Sequence, residues 1–211
     1  MPSFTALPTR RERNKLRTRD ALAAAALRLA REHGFESVTI EQIAADAAVS
    51  RRTFFRYYAS KEAALFPYYG RRLEWFRASL ADGPPGASPF AVVEQAFLAL
   101  AVVYRRERDE IVAQQEVVDA SPALIAFERT LDRDWEQAVA DALETGRRDA
   151  RGKAGRRARI LAGATMGAVR ATLREWFDAG GRLDLVALGR ETFAQLSLAD
   201  EAPPAQPRRR R

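Results

Sequence analysis

The stretch from Thr39 to Lys61, TIEQIAADAAVSRRTFFRYYASK, limits the fold of this chain more than any other. Thr39 stands where a helix N-cap would, and Gln42 three residues on completes a capping box. Ile40, Ile43, Ala44 and Ala47 recur at helical spacing, so the spacing predicts a first short helix with one apolar face. Ala48-Val49-Ser50 breaks that pattern. Ser50 can cap a second short helix over Arg51 to Tyr58. Its inward face is Phe54 with Tyr57 or Tyr58; its outward face is Arg51, Arg52, Thr53, Phe55 and Arg56. Two short helices with a tight turn, the second basic and aromatic on the outside, form the layout of a helix-turn-helix that reads the DNA major groove.

The side chains have the chemistry for that task. Arg can donate two hydrogen bonds to guanine N7 and O6, and Thr and Phe can meet a thymine methyl. The Thr39 and Ser50 hydroxyls, with the free N–H groups behind them, can hold phosphates at helix N-termini. Lys61 follows a third cap, Ser60, and is expected to aim its ammonium at the DNA backbone. Together with Tyr57, these residues complete the expected DNA-binding set: Thr39, Ser50, Arg51, Arg52, Thr53, Phe55, Arg56, Tyr57 and Lys61.

Gly34-Phe35, TIEQIA and VSRRTFFRYYASKEAL together resemble the DNA-binding domain of the TetR family of bacterial transcriptional regulators. Thr39, Ile43, Ala44, Val49, Ser50, Thr53, Phe54, Tyr57, Lys61 and Leu65 carry the resemblance, which spans Arg11 to about Phe66. Three positions depart from the family pattern. Ala48 replaces a turn glycine, so a left-handed backbone there would be strained. Phe55 stands where tyrosine is common and lacks a hydroxyl. Tyr58 replaces a buried phenylalanine and needs a partner for its hydroxyl. The run RRTFFRY also resembles the mycofactocin-associated branch of the family, which implies acyl-CoA esters as ligands.

Charge supports a nucleic-acid module. Residues 1–61 hold twelve Lys and Arg against six Asp and Glu, and Arg208–Arg211 add four more positive charges, so the stretch between carries −3 of the overall +7. A basic head on a mildly acidic body is the footprint of a DNA-binding unit joined to something else. Ala, Leu, Arg and Glu dominate and no strand-like alternation appears, so an all-α fold is expected. Cys is absent, which excludes disulfides, thiolate catalysis and cysteine zinc sites. His33 is the only histidine and falls at a helix end. Paired carboxylates, Ser/His arrangements, metal motifs and phosphate loops are not seen, so no enzyme, cofactor or metal is expected. No apolar run is long enough to span a bilayer and no signal-peptide core is present, which predicts a cytoplasmic protein with no membrane partner.

The expected organisation is about nine helices. Residues 1–61 form a three-helix DNA-binding domain with a flexible lead at 1–9. Residues 62–199 form a helical regulatory and dimerisation bundle, and 200–211 form a disordered basic tail. The fourth helix starts at Ser60 and is expected to kink near Pro67. A basic loop is expected over Arg147–Arg157, and the next helix closes at Gly180-Gly181.

The family resemblance implies that the body binds a ligand and dimerises through its last two helices. Trp75, Phe97, Tyr104, Phe127 and Trp135 are candidate apolar walls, with Gln114 and Thr165 as polar anchors. The middle of the penultimate helix, AGATMGA, is small-sided and suits a helix–helix interface. The expected dimer surface is Gly163, Met166, Gly167, Val169, Leu173, Leu188 and Phe193. The function expected from these readings is a ligand-responsive repressor. It binds a palindromic double-stranded operator as a homodimer and is released by a hydrophobic small molecule such as an acyl-CoA. The alternative is a constitutive DNA- or partner-binding dimer without ligand control.

Overall fold

The computed structural model describes residues 9–144 and 153–200, and all structural statements concern those residues. Residues 1–8 of the expected lead over 1–9, 147–152 of the expected basic loop over Arg147–Arg157 and 201–211 of the expected tail over 200–211 lie outside them, and that loop is instead helical from Lys153 onward. Among the described residues the chain forms ten α-helices and no strand. They are α1 (Arg10–His33), α2 (Ile40–Asp46), α3 (Arg51–Tyr57), α4 (Lys61–Leu65), α5 (Tyr69–Ala81), α6 (Pro89–Arg106), α7 (Arg108–Asp119), α8 (Pro122–Glu144), α9 (Lys153–Asp178) and α10 (Leu185–Asp200). A short 3-10 turn, Phe35–Ser37, joins α1 to α2.

Local chemistry places most of the ends. The Ser50, Ser60 and Ser88 hydroxyls accept from the backbone N–H groups of Thr53, Ala63 and Ala91, and Ser121 accepts from that of Leu124. Each such cap contributes about 1 kcal/mol. Pro89 and Pro122 follow their caps at the first helical position, where a missing N–H costs nothing. Asp184 caps α10 by accepting from Val186 and Ala187. Gly180, at φ 61°, closes α9: its N–H bonds the Phe177 carbonyl at 2.7 Å, and that of Gly181 reaches Trp176 at 2.9 Å.

The count exceeds the expected nine because Pro67 breaks a helix that was expected only to kink. A proline disfavours helical geometry in the residue before it, and Phe66 has left the helix at φ −118°, ψ 56°. The predicted fourth helix is therefore α4 and α5.

The helices group into two compact units. The first takes the chain as far as Arg72 together with Ala113–Leu131. Its core joins Leu22, Ala26, Phe35, Ile43, Phe54, Tyr58 and Leu65 to Val117, Val118 and Leu124. The second takes Leu73–Val112 and the described residues from Asp132 onward. In it Phe76, fully buried, packs against Phe97 and Trp135 at ring distances of 4.7 and 4.8 Å. Trp176 is also fully buried and donates its indole N–H to the Leu183 carbonyl at 3.1 Å. Compactness thus draws the α7–α8 corner into the core of the head, a grouping that differs from the expected boundary at 61/62.

Candidate nucleic-acid interface

The turn between α2 and α3 is built entirely from local hydrogen bonds. Thr39 and Gln42 form the full capping box: the Gln42 N–H donates to the Thr39 hydroxyl at 3.2 Å, and the Thr39 N–H donates to Gln42 Oε1 at 2.8 Å. At the other end of α2, the Ala48 N–H bonds the Ala45 carbonyl and the Val49 N–H bonds the Ala44 carbonyl. This is the paired closure that requires a left-handed residue after the helix. Ala48 takes that conformation at φ 53°, the one positive φ at a non-glycine residue among those described.

The turn orients α3. Phe54 is fully buried and Tyr58 is 5% exposed. The Tyr58 hydroxyl donates to the Arg19 carbonyl at 3.1 Å, which supplies the partner the sequence called for. Burial pushes the Tyr58 phenol above the ordinary tyrosine range. Between Tyr57 and Tyr58, it is Tyr58 that enters the core; Tyr57 is half-buried at its edge.

The outer face of α3 carries Arg51, Arg52, Phe55 and Arg56, all exposed, with Ser50 exposed before them and Thr53 half-buried among them. Phe55 is 46% exposed, unusual for a large apolar side chain. The Arg56 guanidinium lies 5.2 Å from the Tyr57 ring centre and that of Arg51 lies 5.5 Å from Phe55. Three guanidiniums and a ring on a seven-residue helix with no acidic residue give phosphate attraction and base-edge chemistry on one surface. Ser50 Oγ and Thr53 Oγ1 are 3.0 Å apart, so one hydroxyl proton bridges them and the other is available outward.

Two expected contacts are engaged elsewhere. The Thr39 hydroxyl gives its single proton to Gln42 Oε1 at 3.0 Å, so a phosphate contact through it would replace that bond and leave the two N–H bonds of the capping box in place. Lys61 requires a correction. Its ammonium points inward and donates to the carbonyls of Phe35, Glu36 and Val38 at 2.9, 3.3 and 3.0 Å, lying 4.3 Å from the Phe35 ring centre. All three of its donors are occupied by the turn that precedes α2.

Residues not singled out in the sequence complete this region. The Arg19 guanidinium donates to the Pro67 carbonyl at the α4–α5 break, while its Nε is buried without a partner. Glu36 accepts from the Ser121 hydroxyl at 2.6 Å, and that bond holds its carboxyl below the usual range. Glu41, on the first turn of α2, pairs with Arg51 at 3.1 Å. Long-range partners leave no periodic signal in the sequence.

The expected ligand residues fall in both units. Gln114 and Phe127 belong to the first unit. Gln114 donates its amide to the Leu65 carbonyl at 2.6 Å, and the Phe127 ring meets that of Phe66 at 5.6 Å. Trp75 is 44% exposed. In the second unit Phe97 and Trp135 join the Phe76 cluster, Tyr104 lies 6.4 Å from Trp176, and Thr165 is buried at 1% exposure.

Two of the expected dimer residues are also corrected. Met166 and Phe193 are buried within their own chain at 4% and 2%, and Phe193 packs on Phe90 and Phe97. Gly163, Gly167, Val169, Leu173 and Leu188 are half-buried.

Residues 22–66 match the family described as bacterial regulatory proteins, tetR family. Residues 87–199, more than half of the chain, match the MftR C-terminal domain. The chain belongs to the TetR family. It is similar to the HTH-type transcriptional regulator TcmR of Streptomyces glaucescens, at 38% identity over 128 residues covering 56% of this chain and 55% of that one. It is also similar to a Mycobacterium tuberculosis protein named as the mycofactocin biosynthesis transcriptional regulator MftR, at 27% identity over 128 residues covering 61% and 65%. The chain thus spans less than two thirds of the length of either relative. Among solved structures it resembles Thermus thermophilus FadR, a TetR-family transcriptional repressor in complex with lauroyl-CoA, with 27% identity, a TM-score of 0.54, and coverage of 89% of this chain and 98% of that one. The family and both relatives are described as transcriptional regulators. Among the described residues no helix is long and apolar enough to cross a membrane.

Proposed function

We propose that this TetR-family regulator is a cytoplasmic repressor that binds a palindromic operator as a homodimer and is released by a hydrophobic small molecule. The observation that carries the DNA half is the outer face of α3, where Arg51, Arg52, Thr53, Phe55 and Arg56 share one surface ahead of a fully buried Phe54. In this reading they contact base edges and phosphates, with Ser50 supplying a hydroxyl at the helix N-terminus. The functional division is a DNA-binding head over 1–61, a regulatory body over 62–199 and a basic tail from 200.

The dimer reading is supported by α9. A Cβ added at Gly163 would come no nearer than 3.6 Å to another group, and one at Gly167 no nearer than 4.0 Å, so packing within the chain does not require these glycines. An acyl-CoA effector is supported by the lauroyl-CoA complex of the FadR neighbour, which is 27% identical to this chain. By linkage, an effector that weakens operator binding must itself be bound more weakly in the presence of operator, by the same factor.

Selection of bound DNA from a random pool tests the first half, with a short palindrome expected. Lauroyl-CoA is then titrated into the operator complex, and release is expected. Trp75, expected as a pocket wall, is 44% exposed, which favours the alternative of a constitutive DNA- or partner-binding dimer. That alternative holds if the operator is recovered but no acyl-CoA chain length releases it or raises the melting midpoint.

A further inference from the structure

Arg51 is held in one orientation by two neighbours. Its Nε lies 3.1 Å from Glu41 Oε1, on the preceding helix. Its guanidinium lies 5.5 Å from the Phe55 ring centre, one turn along its own helix. Glu41 is itself well seated, since a carboxylate in the first turn of a helix is favoured by the helix dipole. Arg51 has the opposite situation at the start of α3, where a cation is disfavoured and where no acidic residue occupies the first turn.

The choice of nitrogen matters. An arginine reads guanine with two parallel N–H groups, on N7 and O6. Nε is the guanidinium nitrogen nearest the Glu41 carboxylate, in an ion pair, and the two terminal nitrogens, Nη1 and Nη2, remain for a base edge. A fork oriented before binding loses less rotamer freedom on contact. The carboxylate also offsets the positive charge of Arg51, so the pair adds little to the counter-ion release that drives sequence-independent binding.

We infer that Glu41 is a positioning residue for operator choice: it presents the terminal nitrogens of Arg51 to a guanine and restrains Arg51 from nonspecific phosphate contact. This rests on the reading of α3 as the DNA-reading helix. In water the pair contributes little to stability, because its side chains are 65% and 61% exposed. Its effect is on which DNA is chosen.

The test is random-pool selection with salt titration of nonspecific binding, on the full chain and on Arg51→Ala, Glu41→Ala, Glu41→Gln and the double variant. The unaltered protein is expected to enrich a palindrome with a guanine in each half-site that Arg51→Ala no longer prefers. Glu41→Ala should reduce preference for that guanine by up to about fivefold and steepen the salt dependence of nonspecific binding by up to about one unit. Glu41→Gln keeps the shape of the side chain but not its charge, so it should behave like Glu41→Ala in both readouts, because the contact is an ion pair. The double variant should match Arg51→Ala, because the two residues act through one contact. The melting midpoint should fall by no more than the small helix-dipole contribution of the Glu41 carboxylate, and preference should change only at the Arg51-dependent position, which separates positioning from a structural role. A Glu41→Ala protein with unaltered preference at the Arg51-dependent position overturns the inference and leaves the reader reading intact. An Arg51→Ala protein with unaltered preference everywhere also overturns it. If the unaltered protein enriches no sequence, the reader reading fails and the inference with it.

Discussion

Ala48 illustrates how a single residue can work against its own fold. The hydrogen bonds that close α2 require a left-handed residue there, and a Cβ makes that conformation unfavourable by about 1–2 kcal/mol. Glycine would relieve the strain but gain freedom in the unfolded chain, so the two effects partly cancel. Ala48→Gly is expected to raise the unfolding free energy by about 1 kcal/mol, measured by urea denaturation, with the selected DNA sequence unaltered. Tyr58 carries the opposite lesson, because its hydroxyl has a partner in the Arg19 carbonyl. Tyr58→Phe should cost about 1 kcal/mol. Its phenol is pushed up by burial, so the stability contributed by the neutral form is complete below the unfolded tyrosine pKa and is lost as pH rises through the higher folded value. Ultraviolet titration of the intact protein and of Tyr58→Phe should differ by one late-ionising tyrosine.

At the scale of elements, the turn between α1 and α2 joins parts distant in sequence. Lys61, at the start of α4, holds three of its carbonyls, and Ser121, before α8, holds the Glu36 side chain. Lys61→Ala should therefore cost about 2 kcal/mol, the range for hydrogen bonds from a charged donor. It should also leave the salt slope of DNA binding nearly unaltered, since the ammonium does not face outward. A slope reduced by one with unaltered stability would return Lys61 to the phosphate backbone. The Ser121 hydroxyl lowers the Glu36 pKa, with further help from Lys61. The stability from this carboxylate is present above the unfolded glutamate pKa and is lost as pH falls through the depressed folded value. NMR titration of Glu36 should show its pKa rising in Ser121→Ala.

For the whole molecule, the testable quantity is assembly. A chain that is folded as a dimer gains stability by mass action, so its midpoint depends on its own concentration. If α9 and α10 form the dimer face, the melting midpoint should rise with protein concentration, and Gly167→Glu, which has open space within its own chain, should remove that dependence without unfolding the monomer. A midpoint independent of concentration, with a monomer mass by light scattering, would sink the dimer reading.

The sequence by itself determined the helices and the reading surface, because caps, turn residues and helical periodicity act within a few positions. Thr39 with Gln42, Ser50, Ser88-Pro89 and Gly180 mark their elements by chemistry that needs no distant partner. The same locality made the outer face of α3 legible, since Phe54 on one side fixes Arg51, Arg52 and Phe55 on the other. Tertiary structure decided what each long side chain reaches. Lys61 could have met DNA or three carbonyls, and only the fold brings Phe35, Glu36 and Val38 within its reach. It also decided how the units divide, because α7 and α8 run unbroken through 112/113 and 131/132, with no turn signal to mark a change of core. Apolar periodicity predicts that Phe127, Met166 and Phe193 are covered; which core covers them depends on packing between helices far apart in sequence.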